Sequence, residues 1–427
     1  MTEANDAASR LGEGDLAAMI PDVRVPTRLT LAGLAAGFAL GLVVPASPAW
    51  TSVSGGIAAL GGLWLRGLQM TIVPLVSALL VMGVVQTIAA ARAGAMARRT
   101  LGLFVVILAI GTTLVALVLP PVLDRLPIPP VAVAALSGAS AAPAAMPGLA
   151  DFLNSLVPTN VIDAAARDAM LPTIVFFVLF AAAITRLPER PRRLLTELFA
   201  AIAATMLVVI GWVLRLAPVG VFALALGLAA HSGGGAIVAL AHYIVLVGGI
   251  GGVVMVAGYG LAVGGARLAP GRFARAMLPV QAVAFSTQSS LASLPAMLGA
   301  CRELGLRAAT AEFVLPLAVA LFRATSPAMN LAVAIYVARL TGVELTVPVL
   351  VTGVAMALLV SPSTVSLPGA LSFISTIGPI ALAMGVPVAP LGLLVAVEML
   401  PDLMRTLGNV TMDVAVAATL DRTTRAG

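Results

Sequence analysis

Six polar side chains share one face of a segment near the C-terminus whose opposite face consists mainly of Leu, Val, Ala and Met. With about 100° of rotation per residue, they fall within an arc of about 100° on a helix spanning 391–420. A solvated polar stripe is disfavoured because ionisable groups that face one way inside an apolar segment indicate a functional site. The six are Glu398, Asp402, Arg405, Thr406, Asn409 and Asp413.

The chemistry of this polar face predicts a ligand. The planar guanidinium of Arg405 suits a carboxylate, and Asp402, one turn away, can accept hydrogen bonds from an ammonium group. Asn409 and Thr406 can orient either end of the ligand, and Asp413 offers hard oxygen atoms to an alkali cation or a proton. Together they predict a zwitterion with an additional carboxylate, which is an acidic amino acid.

The composition predicts that this face lies within a membrane protein. Of the 427 residues, 60% are hydrophobic and 10% charged, against about 45–50% and about 25% in soluble domains. Runs such as Leu101–Pro120 and Leu240–Val263 reach the roughly 20 residues that a helix needs to cross a bilayer. The alternation of an outer-membrane barrel is absent, so helices are the predicted spanning elements.

The residue inventory excludes several other classes of protein. All 24 basic residues are arginine, which removes a Walker A phosphate loop and a lysine Schiff base. The single cysteine, Cys301, excludes an internal disulfide and a cysteine-based metal cluster. The segment Met1–Arg28 is polar, so no cleavable signal peptide is predicted. The net charge of +6 is interpreted as a sign of membrane orientation, and no nucleic-acid partner is expected.

The arginines are unevenly distributed between successive loops, and this predicts the orientation of the chain in the membrane. If the N-terminus is cytoplasmic, ten arginines lie in the cytoplasmic loops and two, Arg125 and Arg167, lie in loops on the other side. Basic residues accumulate on the cytoplasmic side of membrane proteins. We therefore expect a multi-pass protein of the cell inner (plasma) membrane with both termini in the cytoplasm.

Two apolar segments in the C-terminal half are interrupted by serine, threonine and proline. Ala276–Ala300 is broken over Ser286–Pro295, and Val349–Met384 is broken over Ser361–Gly369. Each half is too short to span a bilayer alone, so both segments are predicted to be re-entrant helical hairpins with polar tips, although an ordinary kinked span is the alternative. Two such interrupted segments are typical of secondary transporters built from inverted repeats.

Several stretches of the chain together resemble the dicarboxylate/amino acid:cation symporter family, the glutamate and neutral amino acid transporters. The resemblance covers about residues 29–420, and the last stretch closely matches the signature of the family's last helix. The stretches are Leu65–Leu75, Leu156–Asn160, Leu171–Ile174, Ala217–Ala223, Thr287–Pro295 and Arg405–Asp413.

The resemblance implies the glutamate-transporter-homologue fold: an all-α membrane protein with eight transmembrane helices and two re-entrant hairpins, assembled as a homotrimer. A cytoplasmic tail would cover 1–27, and scaffold helices would cover 28–99 and 126–230. The moving transport domain would comprise a third helix over 100–125 and all of 231–427. Within 231–427, a sixth helix would come first. The first hairpin would follow at about 272–305, the seventh helix at about 309–340, the second hairpin at about 345–386 and the eighth helix at about 388–421.

Carried onto matching positions, the resemblance implies roles for individual residues. Asp402 would bind the substrate's amino group and Arg405 its side-chain carboxylate, and the second hairpin tip would close over the ligand. Substrate contacts are implied for Ser289, Ser290, Ser326, Leu367, Pro368, Gly369, Asp402, Arg405, Thr406 and Asn409. Asn409 and Asp413 are implied to hold one coupling cation, with Na⁺ or H⁺ as the coupling ion, and a second cation is implied at Ala320, Ser361, Pro362 and Thr364. No catalytic residue and no other cofactor is expected.

One departure from the family pattern concerns the seventh helix. The family reads Asn-Met-Asp-Gly-Thr where this chain reads Phe322-Arg323-Ala324-Thr325-Ser326. The charges of Asp402, Asp413, Arg405 and Arg323 then sum to zero. We hypothesise that Arg323 is a tethered cation that partly replaces bound sodium or shifts coupling towards protons. The alternative is that Arg323 lines an aqueous vestibule of a degenerate member.

The sequence therefore predicts a secondary active symporter, not an enzyme, that takes up glutamate or aspartate with Na⁺ or H⁺ by alternating access. A C4-dicarboxylate symporter, a neutral amino acid symporter, and a non-transporting anion channel or sensor on the same fold are the alternatives. An intramembrane hydrolase that uses Ser289 or Ser290 lacks a well-placed base. The expected partners are the small anionic substrate and the lipid bilayer.

Overall fold

The computed structural model describes residues 26–43, 48–92, 94–130, 157–167, 169–232, 235–360 and 369–425. Every regular element in these ranges is a helix, which confirms the predicted all-α class. The number of membrane-spanning helices and of re-entrant hairpins stays a prediction. So does the division into scaffold and transport domains.

The N-terminal half contains nine helices within the described ranges. They are α1 (Thr27–Val43), α2 (Pro48–Gln69), α3 (Ile72–Arg92), α4 (Ala95–Arg125), α5 (Val161–Ala166), α6 (Met170–Ile184), α7 (Glu189–Arg215), α8 (Ala217–Ser232) and α9 (Gly235–Gly264).

The C-terminal half contains shorter helices separated by tight turns. They are α10 (Pro270–Thr287), α11 (Leu294–Glu303), α12 (Ala308–Leu317), a π-helix (Ala318–Phe322), α13 (Ser326–Thr341), α14 (Val347–Val360), α15 (Gly369–Ala383), α16 (Leu391–Leu394) and α17 (Met399–Arg425).

Five helical stretches in the described residues are long and apolar enough to cross a membrane. This agrees with the composition, because a helix needs roughly 20 apolar residues to span a bilayer. The stretches are Gly55–Ala89, Ala95–Arg125, Glu189–Arg215, Val238–Gly264 and Ala308–Thr341.

The first helix packs closely against α8 through glycine. A Cβ atom at Gly37 would lie 2.5 Å from the carbonyl oxygen of Phe222, so only glycine lets the two backbones approach this far. Small residues at such positions are typical of helix contacts in membranes, where dispersion rather than hydrophobic burial drives association. α8 also packs against α2, while α3 packs against α6 and α7.

The last helix, α17, is enclosed by several other helices. It packs along α9 and also contacts α10, α11, α12 and the π-helix. A polar face on a helix with that many neighbours meets protein groups instead of lipid. These neighbours therefore determine which groups meet its polar residues.

The segment over 308–341 is apolar but is not one continuous helix. α12 is followed by the π-helix, and α13 begins at Ser326. Between them Arg323 has a φ of 40°, in the left-handed region that non-glycine residues rarely adopt. π-helical turns and left-handed residues often mark functional sites. The break lies against α17, so it is a candidate part of the site.

Candidate functional site

The polar face of the last helix is buried inside the protein. Glu398 and Asp413 are each 1% exposed, and Asp402, Arg405, Thr406 and Asn409 are buried as well. The predicted helix over 391–420 is wrong in one respect, because it is interrupted: α16 ends at Leu394 and α17 begins at Met399. Glu398 therefore immediately precedes α17, and its carbonyl oxygen accepts a hydrogen bond from the Asp402 amide, at 2.9 Å.

Arg405 lies at the centre of a buried polar cluster. Its Nη2 atom donates to Oε1 of Glu398 at 2.8 Å, and its Nε atom lies 3.2 Å from Oδ1 of Asp402. Its Nη1 atom donates to Oδ1 of Asn330, on α13, at 2.9 Å. The guanidinium thus contacts two carboxylates and one amide, which hold it in a single orientation.

Glu398 has a second buried partner from a distant helix. The hydroxyl of Tyr243, on α9, donates to Oε2 of Glu398 at 2.7 Å, so each carboxylate oxygen accepts one hydrogen bond. Sequence reasoning missed Tyr243 and Asn330 as members of the site. A tyrosine within an apolar helix is a usable signal, because a buried tyrosine hydroxyl needs a partner. For Asn330 the only signal is an amide in an apolar run.

Asn409 is held by the break that precedes α13. Its Oδ1 atom accepts hydrogen bonds from the backbone amide of Thr325 at 2.9 Å and from the Thr325 hydroxyl at 2.8 Å. The same hydroxyl lies 3.2 Å from the Arg405 carbonyl oxygen. The carbonyl end of the Asn409 side chain is therefore used within the protein, and its amide nitrogen is the end that could serve a ligand.

Asp413 carries an unsatisfied buried oxygen. Its Oδ1 atom has no hydrogen-bond partner within the described part of the chain. The positive charge of Arg323 acts electrostatically on Asp413 and on Asp402. Buried polar atoms are nearly always paired, and an orphaned carboxylate oxygen is chemically suited to a hard cation or a proton.

Phe322 fills the place where the family pattern has asparagine. Its fully buried ring stacks on Phe104 of α4, with ring centroids 4.3 Å apart and an interplanar angle of 10°. Ala324, in place of the family's aspartate, is buried and offers no side-chain ligand. Aromatic packing thus occupies position 322, where the family pattern has an amide, and a methyl group occupies position 324, where it has a carboxylate.

The serine-rich turn between α10 and α11 joins two helices that both pack against α17. Gln281 of α10 donates to the Thr411 hydroxyl at 3.1 Å. The Ser289 hydroxyl accepts from the Ala292 amide at 3.2 Å, and Ser290 is half-buried. Within the described residues, the hydrogen bonds of Ser289 stay inside the turn, so a direct contact of Ser289 or Ser290 with the polar face stays a prediction.

The other predicted site residues divide into two groups. Ser326 is buried at the first residue of α13, where its amide donates to the Arg323 carbonyl oxygen at 2.8 Å. Ala320 lies in the π-helix, and Gly369 begins α15. Five further positions lie outside the described residues: Ser361, Pro362, Thr364, Leu367 and Pro368.

A sequence profile of the Sodium:dicarboxylate symporter family matches residues 27–423. The Proton/glutamate-aspartate symporter of Escherichia coli (strain K12) is 28% identical over 356 residues, which cover 82% of this chain and 81% of that protein. The Proton/sodium-glutamate symport protein of Bacillus subtilis (strain 168) is 27% identical over 277 residues, or 64% and 63%. The C4-dicarboxylate transport protein of Anaeromyxobacter sp. (strain K) is 27% identical over 264 residues, or 62% and 59%.

Proposed function

The chain belongs to the sodium:dicarboxylate symporter family, and from this premise we propose that it is a secondary active symporter for an acidic amino acid, glutamate or aspartate. Family membership confirms the resemblance predicted from the sequence and makes the protein a multi-pass membrane transporter of a small molecule. Its relatives are named for glutamate and aspartate or for C4-dicarboxylates. We therefore infer the particular substrate and the coupling ion from the residues of the site.

The juxtaposition of Asp402 and Arg405 is the observation that supports an amino acid substrate. Their side chains lie 3.2 Å apart, and both are buried. An acidic amino acid offers an ammonium group to Asp402 and a carboxylate to Arg405. A dicarboxylate has no ammonium group and would leave Asp402 facing a like charge, which is costly in a buried place.

The residues around Asp413 fit a coupling cation. The orphaned Oδ1 atom of Asp413 supplies a hard oxygen ligand, and the backbone carbonyl of Asn409 would supply another. A cation bound there would neutralise the carboxylate. Family resemblance supports a second cation site formed by Ala320, Ser361, Pro362 and Thr364.

The residues at 322–326 do not fit the family's cation site. Phe322 and Ala324 provide no side-chain ligand. The neighbouring Arg323 brings a positive charge that acts on Asp402 and Asp413. Arg323 therefore serves as a tethered cation that takes the place of one bound sodium ion.

A C4-dicarboxylate is the second candidate substrate. It is favoured by the relatives named C4-dicarboxylate transport protein, which are 27% identical to this chain. Both candidate substrates would place a carboxylate on Arg405. They differ in whether Asp402 receives an ammonium group, so Asp402 is the residue that separates them.

The remaining architecture of the proposal follows the family resemblance. The protein would form a homotrimer in the inner (plasma) membrane with both termini in the cytoplasm. The segments 28–99 and 126–230 would form the scaffold, and 100–125 with 231–427 would carry the substrate across. The tip of the second hairpin would close over the ligand from the extracellular side.

Uptake into proteoliposomes tests the substrate. Labelled aspartate, glutamate and succinate are offered to the wild type and to Asp402→Asn under sodium and proton gradients. Loss of a charge-assisted hydrogen bond should lower aspartate uptake by about ten- to a hundredfold. Succinate uptake should change much less, since it makes no such bond.

The exposed Asp163 on α5 provides a matched control. It pairs with Arg167, the residue that caps the C-terminus of α5. Asp163→Asn should leave the uptake of all three substrates unchanged. Equal losses of aspartate and succinate uptake in Asp402→Asn would contradict the assignment of Asp402 to the amino group.

A further inference from the structure

The guanidinium that would bind the substrate already binds a carboxylate of the protein. Glu398 accepts a hydrogen bond from Nη2 of Arg405 at 2.8 Å, with its second oxygen held by Tyr243. Of the five N–H donors of an arginine, one on Nη2 is thus directed at Glu398. A substrate carboxylate must compete with Glu398 for this part of Arg405.

The charge of the site makes that competition costly. Glu398 is only 1% exposed and adds a buried negative charge to the set considered from the sequence. The polar face of α17 and the break before α13 then contribute three acidic groups, Glu398, Asp402 and Asp413, against two basic groups, Arg323 and Arg405. The formal charge of these five protein groups is −1, whereas the sum without Glu398 is zero. An acidic amino acid adds another net negative charge, which is unfavourable in a low-dielectric interior.

The groups around Glu398 allow one proton to relieve this cost. The charged neighbours of its carboxyl group are Arg405 and Asp402, both on α17, and its titratable neighbour from another helix is Tyr243. Behind Tyr243 lie the Tyr336 ring and His242, whose Nδ1 atom is 3.4 Å from the Tyr336 hydroxyl. A neutral Glu398 could still accept the hydrogen bond from Tyr243, but its attraction for Arg405 would be much weaker.

We propose that Glu398 binds the coupling proton. Once protonated, it releases Arg405, which then binds the substrate carboxylate. This inference rests on the proposed function. On the side where the substrate enters, Glu398 takes up one proton from solution, and Arg405 turns its donors to the substrate carboxylate. After the substrate leaves on the other side, Glu398 releases that proton there and pairs with Arg405 again. Substrate and proton therefore cross together.

A proton-driven uptake assay with Glu398→Gln tests the inference. Glutamine keeps the shape and hydrogen-bonding groups of a neutral Glu398 but cannot carry a proton. With one proton per substrate, a pH gradient of one unit should sustain up to about a tenfold accumulation of aspartate by the wild type. Glu398→Gln should lose this accumulation but retain the exchange of internal for external aspartate. Glu344→Gln, in an exposed loop, is the matched control and should behave as the wild type.

Proton uptake by the purified wild type gives a second readout that does not depend on the variant's folding. Aspartate added to the protein in weakly buffered solution should remove about one proton from the medium for each aspartate bound. Aspartate binding without proton uptake, or unchanged proton-driven accumulation by Glu398→Gln, would overturn the role of Glu398. A wild type that binds no aspartate would instead contradict the proposed function itself.

Discussion

Gly408 is the residue at which the break before α13 meets the last helix, and its replacement tests that contact. A Cβ atom at Gly408 would lie 2.5 Å from Cγ2 of Thr325 and 3.1 Å from the carbonyl oxygen of Gly251. Thr325 cannot easily turn away, because its hydroxyl and amide both hold Oδ1 of Asn409. Gly408→Ala must therefore push the break away from α17.

The size of the effect follows from overpacking. One extra methyl group in a well-packed interior costs about 1–3 kcal/mol, which corresponds to about 5–150-fold in an equilibrium constant. Because the displaced Thr325 orients Asn409 beside Arg405, the loss should appear both in thermal stability and in aspartate affinity. Thermal unfolding of the detergent-solubilised protein and isothermal titration with aspartate measure the two quantities.

A second substitution tests whether the Thr325 side chain causes this effect. Thr325→Ser removes the Cγ2 atom and keeps the hydroxyl that bonds to Asn409, so Gly408→Ala should be largely tolerated in a Thr325→Ser background. Residues in contact usually show coupling energies of about 0.5–3 kcal/mol in such a cycle. Gly249→Ala, where nothing lies within 4 Å of the new atom, is the control and should be harmless. Strictly additive effects of the two substitutions would refute this account of the contact.

Two further predictions concern Asn330 and Arg323. Asn330→Ala removes an acceptor from Nη1 of Arg405, and since hydrogen bonds to charged groups contribute about 1.5–3 kcal/mol, aspartate affinity should fall by about ten- to a hundredfold. Titration calorimetry measures this, with Asn160→Ala at the exposed start of α5 as control; an unchanged affinity would exclude a role for Asn330. Arg323→Gln removes the tethered charge and should make aspartate uptake depend more steeply on sodium, by about one ion per transport cycle. A wild type that already shows full, steep sodium dependence would contradict this role.

The polar face of the last helix could be predicted because it depends only on helical periodicity. Six residues spaced at helical intervals in an apolar run must lie on one side, and the structure buries all six. The interruption over 395–398 could not be predicted in the same way, since Val395, Ala396 and Val397 continue the apolar pattern. Local sequence does not indicate that a helix stops and starts again within such a run.

The partners of Arg405 show where sequence reasoning reached its limit. Tyr243 lies 155 residues from Glu398 in the chain, and Asn330 lies 75 residues from Arg405. Pairing between distant helices depends on how they pack and not on any local spacing. For that reason helical periodicity predicts that Glu398 lies on the polar face, but it does not indicate that Glu398 pairs with Arg405. The family pattern likewise identified Arg323 as unusual, while the stacking of Phe322 on Phe104 became apparent only from the fold.

Binding of an acidic amino acid by Asp402 and Arg405 can be seen in a density map of the protein saturated with L-aspartate. We expect a ligand beside α17, with its amino group within hydrogen-bonding distance of the Asp402 carboxylate and its side-chain carboxylate on the Arg405 guanidinium. Aspartate bound elsewhere, with Asp402 and Arg405 in contact only with protein groups, would contradict it.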